Sequence, residues 1–363
     1  MRRFLVFLLT LTLTLSAGLA HAQTDTGPSI EPVLERMVVD YVLPHYADFG
    51  SAADGLQTSF DSLCETPSEV ALNAARAAFR DAADQWSRIE WLRLGPVMSE
   101  DRLERILFFP DRKGTGRKQV QAAIATKDES VTDTALLARK SVAMQGLGAL
   151  EFILFGSGSQ GLAQADASHR CRFGRAATTN VANLSRELIA GWQPDSKFLP
   201  VFLKPGPGNP LFRDDQEALN VLLGQMIHGL EAIRDTRIGA FLDRETPDHD
   251  RPKSALYWRS ELTLATVSAG LSGLEALFNE STIEIVAREA APRLGDTIRF
   301  EFNQAISTAD SLDAPVDRLL ADPQTREKLV YLNYAVKIII GRLDQEFAQA
   351  GGLDVGFSFG DGD

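Results

Sequence analysis

The most informative stretch of the chain is residues 142–156, which read VAMQGLGALEFILFG. It is apolar on every side of a helix apart from one carboxylate, Glu151, and a helix that is apolar all round is usually buried. Burying a carboxylate without a partner costs several kcal/mol. Glu151 is therefore expected either to be functional or to have a structural place, at a bundle edge or paired with an arginine.

Two glycines, Gly146 and Gly148, precede this acid. Inside a helix each glycine costs about 1 kcal/mol of stability relative to alanine, so its presence there calls for a structural or functional explanation. They would let a neighbouring helix or a ligand approach closely. Gly148 lies three residues before Glu151 and so shares its helix face.

Outward from this stretch, apolar residues recur with helical spacing, whereas the alternation typical of half-buried strands is hard to find. The sequence therefore predicts an all-α protein. A first helix is predicted over residues 28–63, and Thr66-Pro67-Ser68-Glu69 is interpreted as a capping box opening a second helix that ends near 94. One long apolar helix is predicted over residues 131–155.

Residues 193–213 contain five prolines and indicate a connector between two domains. Further helices are predicted over 214–241, 254–279, 282–307 and 323–350. The expected fold is two up-and-down helical bundles packed side by side, over residues 23–192 and 214–350, with a flexible tail at 351–363.

The first 22 residues have the pattern of a cleavable secretory signal. Arg2 and Arg3 precede an apolar run, and Ala20-His21-Ala22 predicts cleavage before Gln23. The alternative, an uncleaved anchor, fits less well because the run is shorter than the roughly 20 residues that span a bilayer. We therefore expect a soluble mature protein in an oxidising compartment, the bacterial periplasm.

The formal net charge of the chain is -12, with 49 acidic and 37 basic residues. Such a surface repels phosphate backbones and anionic lipids, which argues against nucleic-acid or membrane-surface binding. Nothing after residue 22 is long and apolar enough to be a transmembrane segment.

The only two cysteines are Cys64 and Cys171. In an oxidising compartment an even pair indicates a disulfide first, with free buried thiols or a soft-metal site as alternatives. A loop of this length gives a chain-entropy stabilisation of about 4–5 kcal/mol at most.

Familiar catalytic motifs are missing from the sequence. It contains no H-E-x-x-H and no G-x-S-x-G, and Gly114-Thr115-Gly116 lacks the spacing of a phosphate loop. Arginines remain candidates, because a guanidinium binds a carboxylate in two places. Arg93 and Arg259 are the candidates to face Glu151, with ordinary surface or helix-end arginines as the alternative.

At these residues the sequence resembles the imelysin family, bacterial periplasmic proteins linked to iron uptake and historically classed as peptidases. The family motif is G-x-H-x-x-E, which Gly146 and Glu151 match, whereas Gly148 stands at the histidine position. The remaining matches run along nearly the whole mature chain: Cys64, Trp86, Arg93-Leu94-Gly95-Pro96, Pro110-Asp111, Gln145, Leu147, Gly156, Cys171 and Tyr257-Trp258-Arg259-Ser260.

The resemblance implies two helical bundles with a groove between them, lined by the motif helix. A histidine and a glutamate at i and i+3 could share a metal or a proton, and this chain lacks that pair. Another histidine could replace it in space, but His45, His169, His228 and His249 fall in no metal-binding spacing.

We therefore expect a non-catalytic periplasmic binding or accessory protein of iron uptake. The alternatives are a metallopeptidase in which Glu151 activates a metal-bound water, and a protein-docking module. The ligand could be a small molecule, iron or another divalent metal held in part by Glu151, or an iron-uptake protein of the periplasm or outer membrane. The candidate site residues are Gly146, Gly148, Glu151, Arg93, Asp111 and Arg259.

Overall fold

The computed structural model describes residues 30–164 and 168–354 of the 363. The predicted signal peptide and most of the predicted tail lie outside these ranges. Within them the chain is helical and contains no β-strand, which confirms the predicted all-α class.

Fifteen α-helices occur in the described part of the chain. The eight that precede the proline-rich stretch are α1 (Glu31–Arg36), α2 (Leu43–Glu65), α3 (Glu69–Ile89), α4 (Arg102–Ile106), α5 (Thr115–Thr126), α6 (Thr134–Leu137), α7 (Leu147–Phe155) and α8 (Ser168–Gly191). The others are α9 (Leu199–Phe202), α10 (Asp215–Ala232), α11 (Thr263–Glu280), α12 (Leu294–Asp310), α13 (Val316–Ala321), α14 (Pro323–Gly341) and α15 (Ala348–Gly351).

Three π-helical segments, Met37–Val42, Ile233–Ile238 and Arg342–Phe347, continue or join these helices. Short 3₁₀ segments cover Gly95–Met98, Glu129–Val131, Val142–Met144, Ser159–Ala163, Pro247–His249, Pro252–Ser254 and Ile283–Val286.

The long helices pack through one continuous apolar core. α2 packs against α3 and α8, and α3 also packs against α11. In turn, α11 packs against α12, and α12 packs against α14. The buried side chains of both sequence halves belong to the same cluster. The division into two bundles, with boundaries at 193 and 213, stays a prediction.

The N-terminus of α3 lies two residues later than the capping interpretation placed it. Ser68, not Thr66, is the N-cap residue, and its hydroxyl accepts a hydrogen bond from the backbone N–H of Ala71. Pro67 therefore precedes the cap instead of occupying the first helical position. Either serine or threonine caps a helix well, so composition alone could not choose between them.

The prediction of one long helix over residues 131–155 is wrong. Asp133 caps the four-residue α6, and the Gln145 side chain donates to the carbonyls of Ala138 and Lys140. Gly146 is extended, with φ −124° and ψ −152°, and is the N-cap of the nine-residue α7. Apolar residues are buried in the 3₁₀ segment Val142–Met144 as well as in α7, and apolar character alone does not distinguish one continuous helix from several short pieces.

A disulfide joins Cys64, in the last turn of α2, to Cys171, in the first turn of α8, with 5.7 Å between their Cα atoms. This confirms the disulfide interpretation of the two cysteines. In the described ranges no helix has the length and apolar character needed to cross a bilayer.

Candidate functional site

Two arginines hold the C-terminal end of α7. Arg170 of α8 donates to the carbonyls of Phe152 and Ile153, and its third nitrogen donates to Ser157. Arg76 of α3 donates to the carbonyl of Leu154. The last carbonyls of a helix have no partner within it, so these guanidinium groups complete their hydrogen bonding and oppose the helix dipole.

The N-terminal end of α7 is fixed by close packing. A Cβ at Gly146 would lie 2.1 Å from the carbonyl oxygen of Ile106, so only glycine fits there. Arg105 donates to the side chains of Gln145 and Asn180, which ties α4 and α8 to the residue before this glycine. The close approach expected of Gly146 is therefore to backbone.

Glu151 projects from α7 into the part of the chain that follows the proline-rich stretch. Only 6% of the residue is exposed. Its Oε1 accepts from the backbone N–H of Arg259 at 3.0 Å and from the N–H and hydroxyl of Ser260 at 3.3 and 3.4 Å. Its Oε2 accepts from Nη1 of Arg259 at 3.3 Å. The carboxylate is thus held by four donors from two consecutive residues.

The turn that supplies these donors has an unusual backbone. Tyr257 and Glu261 have φ values of 58° and 60°, in the left-handed region that bulky side chains rarely adopt. The Ser260 hydroxyl also donates to the Tyr257 carbonyl, which closes the turn. Consecutive N–H groups that point to one side form an anion-binding concavity, and here the anion is Glu151.

Arg259 contacts aromatic rings as well as the carboxylate. Its guanidinium carbon lies 4.3 Å from the ring centre of Trp258 and 5.5 Å from that of Phe152. The side chain is 17% exposed, so the ion pair lies at the edge of the buried core and not at its centre.

Burial raises the pKa of Glu151 above the ordinary glutamate value, and the Arg259 charge and the turn's hydrogen bonds act against this rise. Burial also raises the pKa of Tyr257 well above the ordinary value, with smaller effects from the charges of Glu90 and Glu151. Through its ion pair and hydrogen bonds, the Glu151 carboxylate mainly attaches α7 to the turn at residues 257–261.

Gly148 lies in the first turn of α7 and is exposed, and a Cβ added there would have no atom within 4 Å apart from its chain neighbours and the backbone of its own helix. The position where the family motif has its histidine is therefore open space beside Glu151. A side chain or part of a ligand could occupy it without displacing any of the surrounding atoms.

The other two candidate residues have hydrogen-bond partners other than Glu151, through the backbone of Arg93 and the carboxylate of Asp111. The backbone N–H of Arg93 donates to the side chain of Gln225 on α10. The Asp111 carboxylate accepts from the backbone N–H groups of Thr115 and Arg117, at the start of α5. Of the two candidate arginines, the structure brings Arg259 to Glu151.

A resident metal does not fit the donors around Glu151. Gly148 contributes no imidazole, the Glu151 oxygens already accept four hydrogen bonds, and no group of three or more potential ligands is found among the described residues. The histidines bond elsewhere: His45 to the Tyr41 carbonyl, His169 to the Asp128 carbonyl, His228 to Glu231, and His249 to Asp243.

A second buried ion pair also crosses the proline-rich stretch and was missed by sequence reasoning. Arg237 donates to Glu90 at 2.8 Å, and both side chains are at least nine-tenths buried. The Arg237 guanidinium lies over the rings of Trp91 and Phe109. In the sequence, the only indication of this pair is the acidic residue before Trp91, and such a residue looks the same as an ordinary charge at a helix end.

The fold and the site together define a helical protein whose two sequence halves are joined by buried carboxylate–arginine pairs. The chain belongs to the imelysin family, since the family's model, described as Imelysin, matches residues 42–338.

Relatives agree with this assignment. The chain is 21% identical over 333 residues to iron-regulated protein A of Synechococcus elongatus, covering 88% of this chain and 85% of that protein. An imelysin-like protein of Psychrobacter arcticum matches with a TM-score of 0.74 and 19% identity over 91% of this chain and 99% of its own. A protein of Parabacteroides distasonis, described as a precursor of iron-regulated protein A, matches with a TM-score of 0.71 and 15% identity, covering 88% and 96%.

Proposed function

We propose that this chain is a periplasmic binding or accessory protein of iron uptake, which binds its ligand beside Glu151 and cleaves no peptide bond. The observation that carries the proposal is the state of Glu151, held by Arg259 and the 259–260 backbone next to the open position at Gly148. A general base needs free lone pairs directed at a water or substrate, whereas Oε1 of Glu151 accepts from three donors and Oε2 from the Arg259 guanidinium.

Family membership supports the link to iron, because the relative in Synechococcus elongatus is named for its iron regulation. The precursor description of the Parabacteroides distasonis protein supports export, as do the predicted signal and the disulfide. If Gln23 is the first mature residue, N-terminal sequencing of protein from a periplasmic fraction will show it.

The functional test is growth under iron limitation. A deletion strain should grow poorly in the presence of a strong iron chelator, and the intact gene should restore growth. Gly148→Trp places a large side chain at an exposed position where a Cβ meets no neighbouring side chain, so it should block the site and fail to restore growth while circular dichroism shows a normal fold. Glu327→Gln, an exposed substitution on α14, is the control and should restore growth fully.

Three results would overturn the proposal. Full restoration of growth by Gly148→Trp would show that the ligand does not bind at the open position beside Glu151. Metal-dependent cleavage of an unfolded protein substrate, lost in Glu151→Gln while circular dichroism shows a normal fold, would establish the metallopeptidase instead. Capture of a protein partner that Gly148→Trp leaves unchanged would also contradict the proposal and support the docking module.

A further inference from the structure

Four arginines contact α7, and Lys253 is linked to it through Trp258 and Arg259. We name these five cations the α7 cation cluster: Arg76, Arg80, Arg170, Lys253 and Arg259. In the part of the chain that the structure describes, only one ion pair involves any of them, that of Arg259 with Glu151. The concentration of positive charge is notable because the chain as a whole has a formal net charge of -12.

The cluster is built around aromatic rings. Arg76 and Arg80 lie 5.3 and 5.6 Å from the ring centre of Phe155, and Arg170 lies 5.6 Å from that of Phe152. Lys253 lies 5.9 Å from the ring centre of Trp258, on which Arg259 also stacks. Phe155 and Trp258 are partly exposed.

The cations differ in what they do for the fold. Arg170 and Arg76 bind the carbonyls that end α7, and burial lowers the pKa of Arg170 to about 10. Arg80 and Lys253 are exposed, and the only contacts the structure gives their charged groups are with aromatic faces. Helix capping therefore does not account for these two charges.

From this arrangement we propose that the ligand of the Glu151 site is a small anionic iron chelate with aromatic catecholate groups, bound by the α7 cation cluster and not as a bare metal ion. This inference rests on the proposed function and specifies the ligand class. A catecholate ring offers negative oxygens to the cations and a flat face to guanidinium groups and tryptophan.

The small extent of the α7 cation cluster favours a small chelate over a larger polyanion. Gly148, Phe152 and Phe155 are spaced i, i+4 and i+7 on one face of α7, so the two rings and their cations lie within roughly 11 Å of the open position along the helix axis, a distance that a chelate of a few rings can span. A nucleic acid or an acidic protein would extend beyond the cluster, and the net charge of -12 of the chain disfavours binding of such a polyanion.

The test is titration of the purified protein with the ferric complex of 2,3-dihydroxybenzoate, followed by tryptophan fluorescence, with ferric citrate as the aliphatic comparison. Arg80→Ala and Lys253→Ala should each weaken binding of the aromatic chelate about threefold, and the double variant about tenfold, from the loss of exposed cation contacts. Arg36→Ala and Lys337→Ala remove exposed charges elsewhere and should leave affinity unchanged.

Several results would overturn the inference while leaving the proposed function in place. The first is equal affinity for the citrate and catecholate complexes, the second is no binding of either complex, and the third is binding that the double variant leaves unchanged. In each case the proposed function stands if Gly148→Trp still fails to restore growth. If Gly148→Trp restores growth fully, the proposed function fails separately.

Discussion

Removing Arg259 is the sharpest test of how Glu151 is held. Arg259→Ala leaves a carboxylate that is 6% exposed without its counter-ion but with the N–H groups of residues 259 and 260 in place. Breaking a buried pair costs roughly 3–5 kcal/mol, whereas a charged hydrogen bond alone contributes about 1.5–3 kcal/mol. Because backbone donors remain and Arg259 is 17% exposed, we expect a loss of about 3 kcal/mol at pH 8.

The loss should depend on pH in a definite direction. Burial raises the pKa of Glu151, and Arg259 opposes this, so the pKa must rise further in Arg259→Ala. A carboxyl group with a higher pKa in the folded state stabilises the fold below its unfolded value, and this contribution disappears as the pH rises through the folded value. Near pH 4 the variant should therefore lose only about 1 kcal/mol, from ring contacts.

The assay is urea denaturation of wild type and variant at pH 4 and pH 8, with the disulfide intact. Arg186→Ala is the control because it breaks an exposed pair with Asp54 and should cost at most about 0.5 kcal/mol at pH 8. The reasoning is refuted if Arg259→Ala costs no more than this control at pH 8, or if its cost is as large at pH 4 as at pH 8.

Two further predictions concern the neighbouring glycines and the disulfide. Gly148→His enters open space and should change the free energy of unfolding by less than about 1 kcal/mol, whereas Gly146→Ala meets a carbonyl oxygen and should cost about 2–3 kcal/mol, both measured by denaturation. Replacing Cys64 and Cys171 together by serine should cost up to about 4–5 kcal/mol, and a reductant should then lower the melting temperature of wild type but not of the variant.

The all-α fold class could be predicted from the sequence because the periodicity of apolar residues and the helix caps are local features. The spacing of apolar residues predicted the first helix over 28–63, and helical structure is found from Glu31 to Glu65. The same reasoning failed at residues 131–155, where apolar residues recur in the 3₁₀ segment and in the α-helices alike. Arg139-Lys140-Ser141 and Gly146 mark breaks, and the cause of the break at Gly146, the Ile106 carbonyl, is forty residues away.

The candidate site was predictable only in part. A lone acid in an apolar run indicated that Glu151 needs a partner, and Arg259 was one of two arginines considered. The backbone donors of the 257–261 turn have no sequence signature, since every residue except proline has an N–H group. The Glu90–Arg237 pair joins residues 147 apart, through a π-helical segment, and no local pattern indicates it.

Two buried ion pairs, Glu90–Arg237 and Glu151–Arg259, join residues before position 193 to residues after 213, and this constrains how a ligand can enter. Pulling these parts of the chain apart would leave Glu90 and Glu151 without their arginines, and each broken pair costs roughly 3–5 kcal/mol. Few ligands offer enough binding energy to offset two such losses. Entry along the exposed edge of α7, at Gly148, leaves both pairs intact, so we expect the ligand to bind a preformed surface and not a cleft that opens.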